Sequence, residues 1–164
     1  MQELLKKQFE EAFREHLGII IRISRAYTKT RQDLEDLVND IAVEIWSSFP
    51  TFRSDSKIST WIYRIALNTA LNYKRNERRR AGFLDKESLD NIINTLYAED
   101  DNRSELLYNS IDQLDEFNRA IIILYLDGKS HEEIARITGI SKSNVGTRIG
   151  RIKEQLKKTI IKKV

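Results

Sequence analysis

Apolar residues recur at i, i+3, i+4 and i+7 through most of this chain, the spacing of helices that each bury one face. The pattern predicts a first helix over about 3–27, with Phe9, Phe13, Leu17, Ile20 and Tyr27 as its core stripe. Gly18 sits inside it at some cost in propensity. "TKTRQ" interrupts the pattern, and a second helix follows over about 33–48 on Leu34, Leu37, Val38, Ile41 and Ile45. "FPTFRSDSK" (49–57) reads as a loop, from Pro50 and its Ser/Asp cluster. In "STWIYRIALNTALNYKRNERRR" (59–80), Ile62, Ile65, Ala66, Thr69, Ala70 and Tyr73 form the buried stripe of a third helix. Two further stripes follow, Leu106, Leu107, Ile111 and Leu114, then Phe117, Ile121, Leu124 and Tyr125, the second ended by "DGKS".

The polar faces are more informative than the apolar ones. In the third helix Trp61, Arg64, Asn68, Asn72, Arg75 and Arg79 fall on one stripe, with Phe52 and Arg53 in the loop just before it. Such a face can stack on bases, hydrogen-bond base edges and neutralise phosphates. A tryptophan at a helix start, as Trp61 is, more often serves half-buried packing than as a base platform. The second helix carries Asp33, Asp36, Asp40 and Glu44 as an acidic ridge whose members repel one another. Pattern alone leaves that ridge as either a solvated face or a docking strip for a basic partner.

Residues 130–157 combine several signals. Ser130 and Glu133 have capping-box spacing. Ala135, Gly139 and Val145 occupy the close-approach, turn and packing positions of a helix-turn-helix. Ser141 can cap the second helix, which would bury Val145, Ile149, Ile152 and Leu156. Its outward residues Lys142, Asn144, Thr147, Arg148 and Arg151 suit a major groove. A plain antiparallel helix pair is the alternative reading of the same periodicity.

Composition narrows the class. The chain of 164 residues is 40% hydrophobic and 32% charged, with one proline and six glycines, as suits an all-helical protein. No apolar run is long enough to span a bilayer, and the amphipathic, partly acidic N-terminus is neither a secretory signal nor a transit peptide. The absence of cysteine excludes disulfides and thiolate metal sites and fits the cytosol. Charge is segregated: "KRNERRR" (74–80) carries +4 and the tail from Lys142 carries +7, leaving −8 for the rest of a chain whose net charge is +3. Two basic patches point to two contacts with a polyanion. Residues 81–104 shift toward acid and read as a linker, although Leu89, Ile92, Ile93, Leu96 and Tyr97 would line one face of a short helix.

Catalytic and cofactor chemistry is not evident. His16 and His131 lack metal-ligand spacing, and "GKS" (128–130) has Ile123 where a phosphate loop needs glycine. "EDD" (99–101) lacks the alternating ligands of a calcium loop. No cofactor and no enzymatic activity are expected.

Three motifs in order carry a family resemblance: "DLEDLVNDIAVEIWSSFPTFR", "STWIYRIALNTALNYKRN" and "SHEEIARITGISKSNVGTRIGRIKEQL". The chain resembles the extracytoplasmic-function (ECF) sigma factors, the smallest members of the sigma-70 family. The resemblance implies an all-α fold of two small helical domains, residues 1–80 and 105–164, joined by a flexible linker over 81–104. It implies a cytoplasmic initiation factor that binds core RNA polymerase, through the β′ clamp helices and the β flap, and directs it to promoter DNA. Asp36 and Asp40 match acidic sites of the core-binding helix, with Asp33 and Glu44 on the same ridge. Phe52 and Asn68 match positions that hold a flipped base of the −10 element, with Arg53, Trp61, Arg64, Asn72 and Arg75 nearby. The C-terminal helix is expected to read the −35 element through Lys142, Asn144, Thr147, Arg148 and Arg151. Gly146 and Gly150 depart from the family pattern, which often places basic or aromatic side chains on that face. An anti-sigma factor is the usual regulatory partner of this group, and no membrane insertion is implied. A free-standing helix-turn-helix regulator is the competing reading. It would leave the acidic ridge and the third helix without a role, and no heptad seam offers the dimer it would need.

Overall fold

In the computed structural model residues 2–53, 57–73, 86–98 and 102–163 are described, and no strand occurs among them. The elements are α1 (Gln2–Ala26), α2 (Arg31–Ser48), a 3-10 turn (Phe49–Thr51), α3 (Ile58–Leu71), α4 (Lys86–Ala98), α5 (Asn102–Ile111), α6 (Glu116–Leu126), α7 (His131–Thr138) and α8 (Lys142–Lys163). They divide into two compact units, Met1–Asn94 and Thr95–Val164.

In the first unit α1, α2 and α3 pack against one another in all three pairings. The apolar stripe expected of α2 is buried in full, with Leu37, Val38, Ile41 and Ile45 all at 0% exposure. Thr30 starts this helix two residues earlier than periodicity suggests, its Oγ1 accepting from the Asp33 N–H at 3.1 Å. The stripe of α1 is wider than one face: Ile19, Ile21 and Ile23 are buried beside Phe9, Phe13, Leu17 and Ile20. Helix α3 likewise buries Tyr63 and Leu67, while Ile65, Thr69 and Tyr73 are only half-buried. Contact with two helices at once rotates its core face away from the single stripe that spacing suggests. His16 is a satisfied core residue, its Nδ1 donating to the Ala12 carbonyl at 2.7 Å and its ring meeting Tyr63 edge-on at 5.6 Å.

The acidic stretch between the motifs contains α4, which belongs in part to the first unit. Leu89 and Ile93 are buried, whereas Ile92, expected on the same face, is exposed. Leu96 and Tyr97 lie outside the residues whose side chains are described. Arg31 at the start of α2 fastens this helix, donating to Asn94 Oδ1 at 2.8 Å and to Asp90 Oδ1 at 3.3 Å, and also to Glu35 at 3.3 Å.

The second unit is built around α8, against which α5, α6 and α7 all pack. Ile121 and Leu124 of α6, Ile134 of α7 and Val145 of α8 are each at 0% exposure. A fully buried aliphatic side chain contributes about 1.5–3 kcal/mol, so this small cluster supplies much of the unit's stability. Its helix ends are fixed locally. Asp115 accepts from the Asn118 N–H at 2.8 Å to cap α6, and Ser130 and Glu133 close a reciprocal capping box on α7. Gly139 ends α7 at φ +83°, its N–H returning to the Ala135 carbonyl at 2.8 Å. That left-handed turn is strained for any residue with a Cβ.

Candidate nucleic-acid interface

A ladder of aromatic rings runs in the first unit from the core to the loop before α3. Phe9 in α1 meets Trp46 edge-on at 5.0 Å and Phe49 at 5.9 Å. Phe49 meets Trp61 at 6.0 Å, and Trp61 lies against Phe52 at 5.1 Å with the planes tilted by 45°. The 3-10 turn places Phe52, whose N–H returns to the Phe49 carbonyl at 3.1 Å. Trp61 and Phe52 are both half-buried and Arg53 is exposed. Trp61 therefore packs as a support beneath Phe52, and Phe9 and Phe49 complete a footing that residue spacing did not single out. In the sequence Phe9 is an ordinary core position of the first helix and Phe49 the first residue of a loop, so neither signals that footing.

Arg64, Asn68 and Asn72 follow one another at i+4 along the exposed side of α3. Asn72 is not wholly available: it ends the helix, its Nδ2 donating to the Asn68 carbonyl at 2.8 Å. Its amide oxygen and second amide N–H are the groups left for an outside partner. Arg75, with the rest of the basic run 74–80, lies outside the described residues.

The acidic ridge of α2 is shorter than its spacing implies. Glu44 is exposed, and Asp36 and Asp40 are half-buried on successive turns. Asp33 departs from it: at 9% exposure it is turned inward at the first turn of the helix. A carboxylate in the first turn lies near the positive end of the helix dipole, which offsets part of the cost of its burial. Beside the ridge, burial and a hydrogen bond to Asp90 push the Glu35 carboxyl above its ordinary value, against the opposing pull of Arg31.

In the second unit α8 presents Lys142, Asn144, Thr147 and Arg151 to solvent and buries Val145, Ile149, Ile152 and Leu156. Ser141 caps it, accepting from the Asn144 N–H at 3.1 Å. Arg148 behaves differently from its neighbours. Its guanidinium lies 5.0 Å from the centre of the Phe117 ring and donates to Asn118 Oδ1 at 3.2 Å and to Asn144 Oδ1 at 3.1 Å. Asn118 is itself held by Asp115, through Nδ2 at 3.0 Å. Arg148 thus joins α8 to the start of α6 and orients Asn144, a positioning task that spacing alone assigned to direct contact. Lys153 donates to Tyr125 Oη at 2.6 Å. Among the described residues no cluster could hold a metal ion, and no helix is long and apolar enough to cross a membrane.

Comparison with known proteins places names on both units. Residues 12–80 match the model of Sigma-70 region 2, and residues 104–156 match that of Sigma-70, region 4. The chain is 32% identical over 139 residues to the ECF RNA polymerase sigma-E factor of Escherichia coli K12, covering 76% of this chain and 72% of that one. With the protein of the same name from Haemophilus influenzae it shares 29% over 144 residues, 80% and 76% of the two chains. Two solved structures share the fold. One is CnrH in complex with the cytosolic domain of CnrY, at TM-score 0.71 and 22% identity over 97% of this chain and 91% of that one. The other is the sigma factor RpoE in complex with the anti-sigma factor NepR from Bartonella quintana, at TM-score 0.68 and 17% identity over 94% and 97%.

Proposed function

The chain belongs to the extracytoplasmic-function group of the sigma-70 family and is a transcription initiation factor; from that premise we propose how its own residues do the work. The observation that carries the assignment is the presence of both family regions in one chain and in order, at 12–80 and 104–156. A free-standing regulator would leave the first of these without a task.

Asp36, Asp40 and Glu44 dock on a basic surface of core RNA polymerase, with Asp33 serving the start of α2. Phe52, backed by Trp61, receives an unpaired base of the −10 element, and Asn68 hydrogen-bonds its edge. Unpairing costs a few kcal/mol, and stacking on one aromatic returns about 1–3 kcal/mol, so a ring with a fixed footing is the decisive element. Arg53, Arg64 and Arg75 hold phosphates around that base. Asn72 contributes through its amide oxygen and its second amide N–H. Lys142, Asn144, Thr147 and Arg151 read the −35 duplex, while Arg148 sets the orientation of Asn144. The protein works by binding rather than catalysis, in the cytoplasm where polymerase and promoters are. An anti-sigma factor covers these surfaces when the factor is idle, by analogy with the complexes described for its structural relatives.

The test is capture of purified core RNA polymerase at low salt by the wild type and by the Asp36→Arg, Asp40→Arg double variant. Binding by the wild type and its loss on charge reversal are expected. Equal capture by both would overturn the role of the ridge.

A further inference from the structure

Gly146 and Gly150 leave the α8 surface without side chains at two successive turns, in line with Lys142 at i+4 spacing. The place over Gly146 is nevertheless occupied. A Cβ built on Gly146 would lie 3.5 Å from Nδ1 and 3.7 Å from Cε1 of His131, the first residue of α7. Over Gly150 nothing comes within 4 Å. The imidazole is half-buried, its ring centre 6.3 Å from that of Tyr125, and among the described residues no hydrogen bond engages either of its nitrogens. Charges around it are mostly committed: Glu132 pairs with Arg136 at 2.7 Å, and Lys153 lies on the Tyr125 ring at 4.4 Å while bonding its hydroxyl. An aromatic ring with hydrogen-bonding capacity in hand therefore stands on the reading helix where that helix has no side chain of its own.

We infer that His131 is a DNA-contacting residue of the −35 surface, delivered from α7 across Gly146 and hydrogen-bonding the promoter duplex in place of the missing recognition-helix side chain. This rests on the reading of α8 as the −35 reader. Gly146 is then the condition for the contact, because a longer side chain would displace the ring. Gly150 keeps the adjoining turn open, so that the duplex can approach the imidazole.

The experiment measures binding of the reconstituted holoenzyme to a promoter duplex selected in vitro with the wild type, and to the same duplex with its −35 element scrambled. His131→Ala and His131→Phe are expected to lose roughly fivefold in affinity, one hydrogen bond's worth, on the intact promoter. His131→Gln retains most of it. Gly146→Ala, whose Cβ meets the ring at ordinary contact distance, binds as the wild type, whereas Gly146→Leu reproduces the His131→Ala loss. A loss confined to one base pair's preference assigns the bond to a base edge, and a uniform loss across sequences assigns it to phosphate. Wild-type affinity in His131→Phe would make the ring mere packing and overturn the inference, as would an unaffected His131→Ala. The Thr147→Ala, Arg151→Ala double variant separates the failures. If it too keeps full −35 dependence, the reading of α8 fails; if it alone loses it, only the role of His131 does.

Discussion

The two units set the position of their candidate DNA-facing helices, α3 and α8, by different physical routes. In the second, α6, α7 and α8 are delimited by their own few residues: the Asp115 cap, the Ser130–Glu133 box, Gly139 and Ser141. In the first, position is set from a distance. Phe52 stands where it does because Trp61, Phe49 and Phe9 form a chain of contacts across two helices and a turn. On the roles proposed here, a duplex-reading helix can be placed by local rules, whereas a single-base platform needs tertiary footing.

Core substitutions test that separation most strongly. Ile41→Ala and Ile121→Ala each remove a side chain at 0% exposure and are expected to cost about 2–5 kcal/mol. Both tryptophans, Trp46 and Trp61, lie in the first unit, so their fluorescence reports its unfolding while far-UV circular dichroism reports both units. Ile41→Ala should move the fluorescence transition, and Ile121→Ala should move only the dichroism. If each variant shifted both signals alike, the units would be one cooperative body and the contrast would fall.

Next in size is Gly139→Ala. Holding alanine at φ +83° costs about 1–2 kcal/mol, which should lower the thermal midpoint of the second unit and leave tryptophan fluorescence unmoved. The opposite sign is expected for Gly150→Ala. This glycine is helical with open space above it, so a methyl group should add about 0.5–1 kcal/mol to the same unit. No gain would mean that α8 is held entirely by its neighbours rather than by its own propensity.

The smallest effect belongs to the first unit. Because folding raises the Glu35 carboxyl above its ordinary 4.5, the folded state disfavours the charged form. Its stabilising contribution is therefore full below that ordinary value and is lost as pH rises through the raised one. Urea unfolding followed by tryptophan fluorescence between about pH 4 and pH 7 should show a shallow decline, which Glu35→Gln flattens. An identical decline in the variant would assign it to other groups.

Much of this was legible in the residues because it depends on near neighbours in sequence. Helical spacing fixed the all-α class, the full α2 stripe and the buried line Val145, Ile149, Ile152 and Leu156. Capping chemistry located the start of α7 at Ser130, since a cap is a bond between residues three or four apart, and helix-turn-helix spacing located the turn at Gly139. Tertiary structure decided what long-range contact decides. It turned Asp33 inward from the ridge, brought Tyr63 and Leu67 into the core, and gave Arg148 to Phe117 and Asn118. It fastened α4 to Arg31 and laid His131 over Gly146. Periodicity specifies which side of a helix is buried only when one neighbour covers it, and no spacing rule says which distant side chain will fill the place a glycine leaves open.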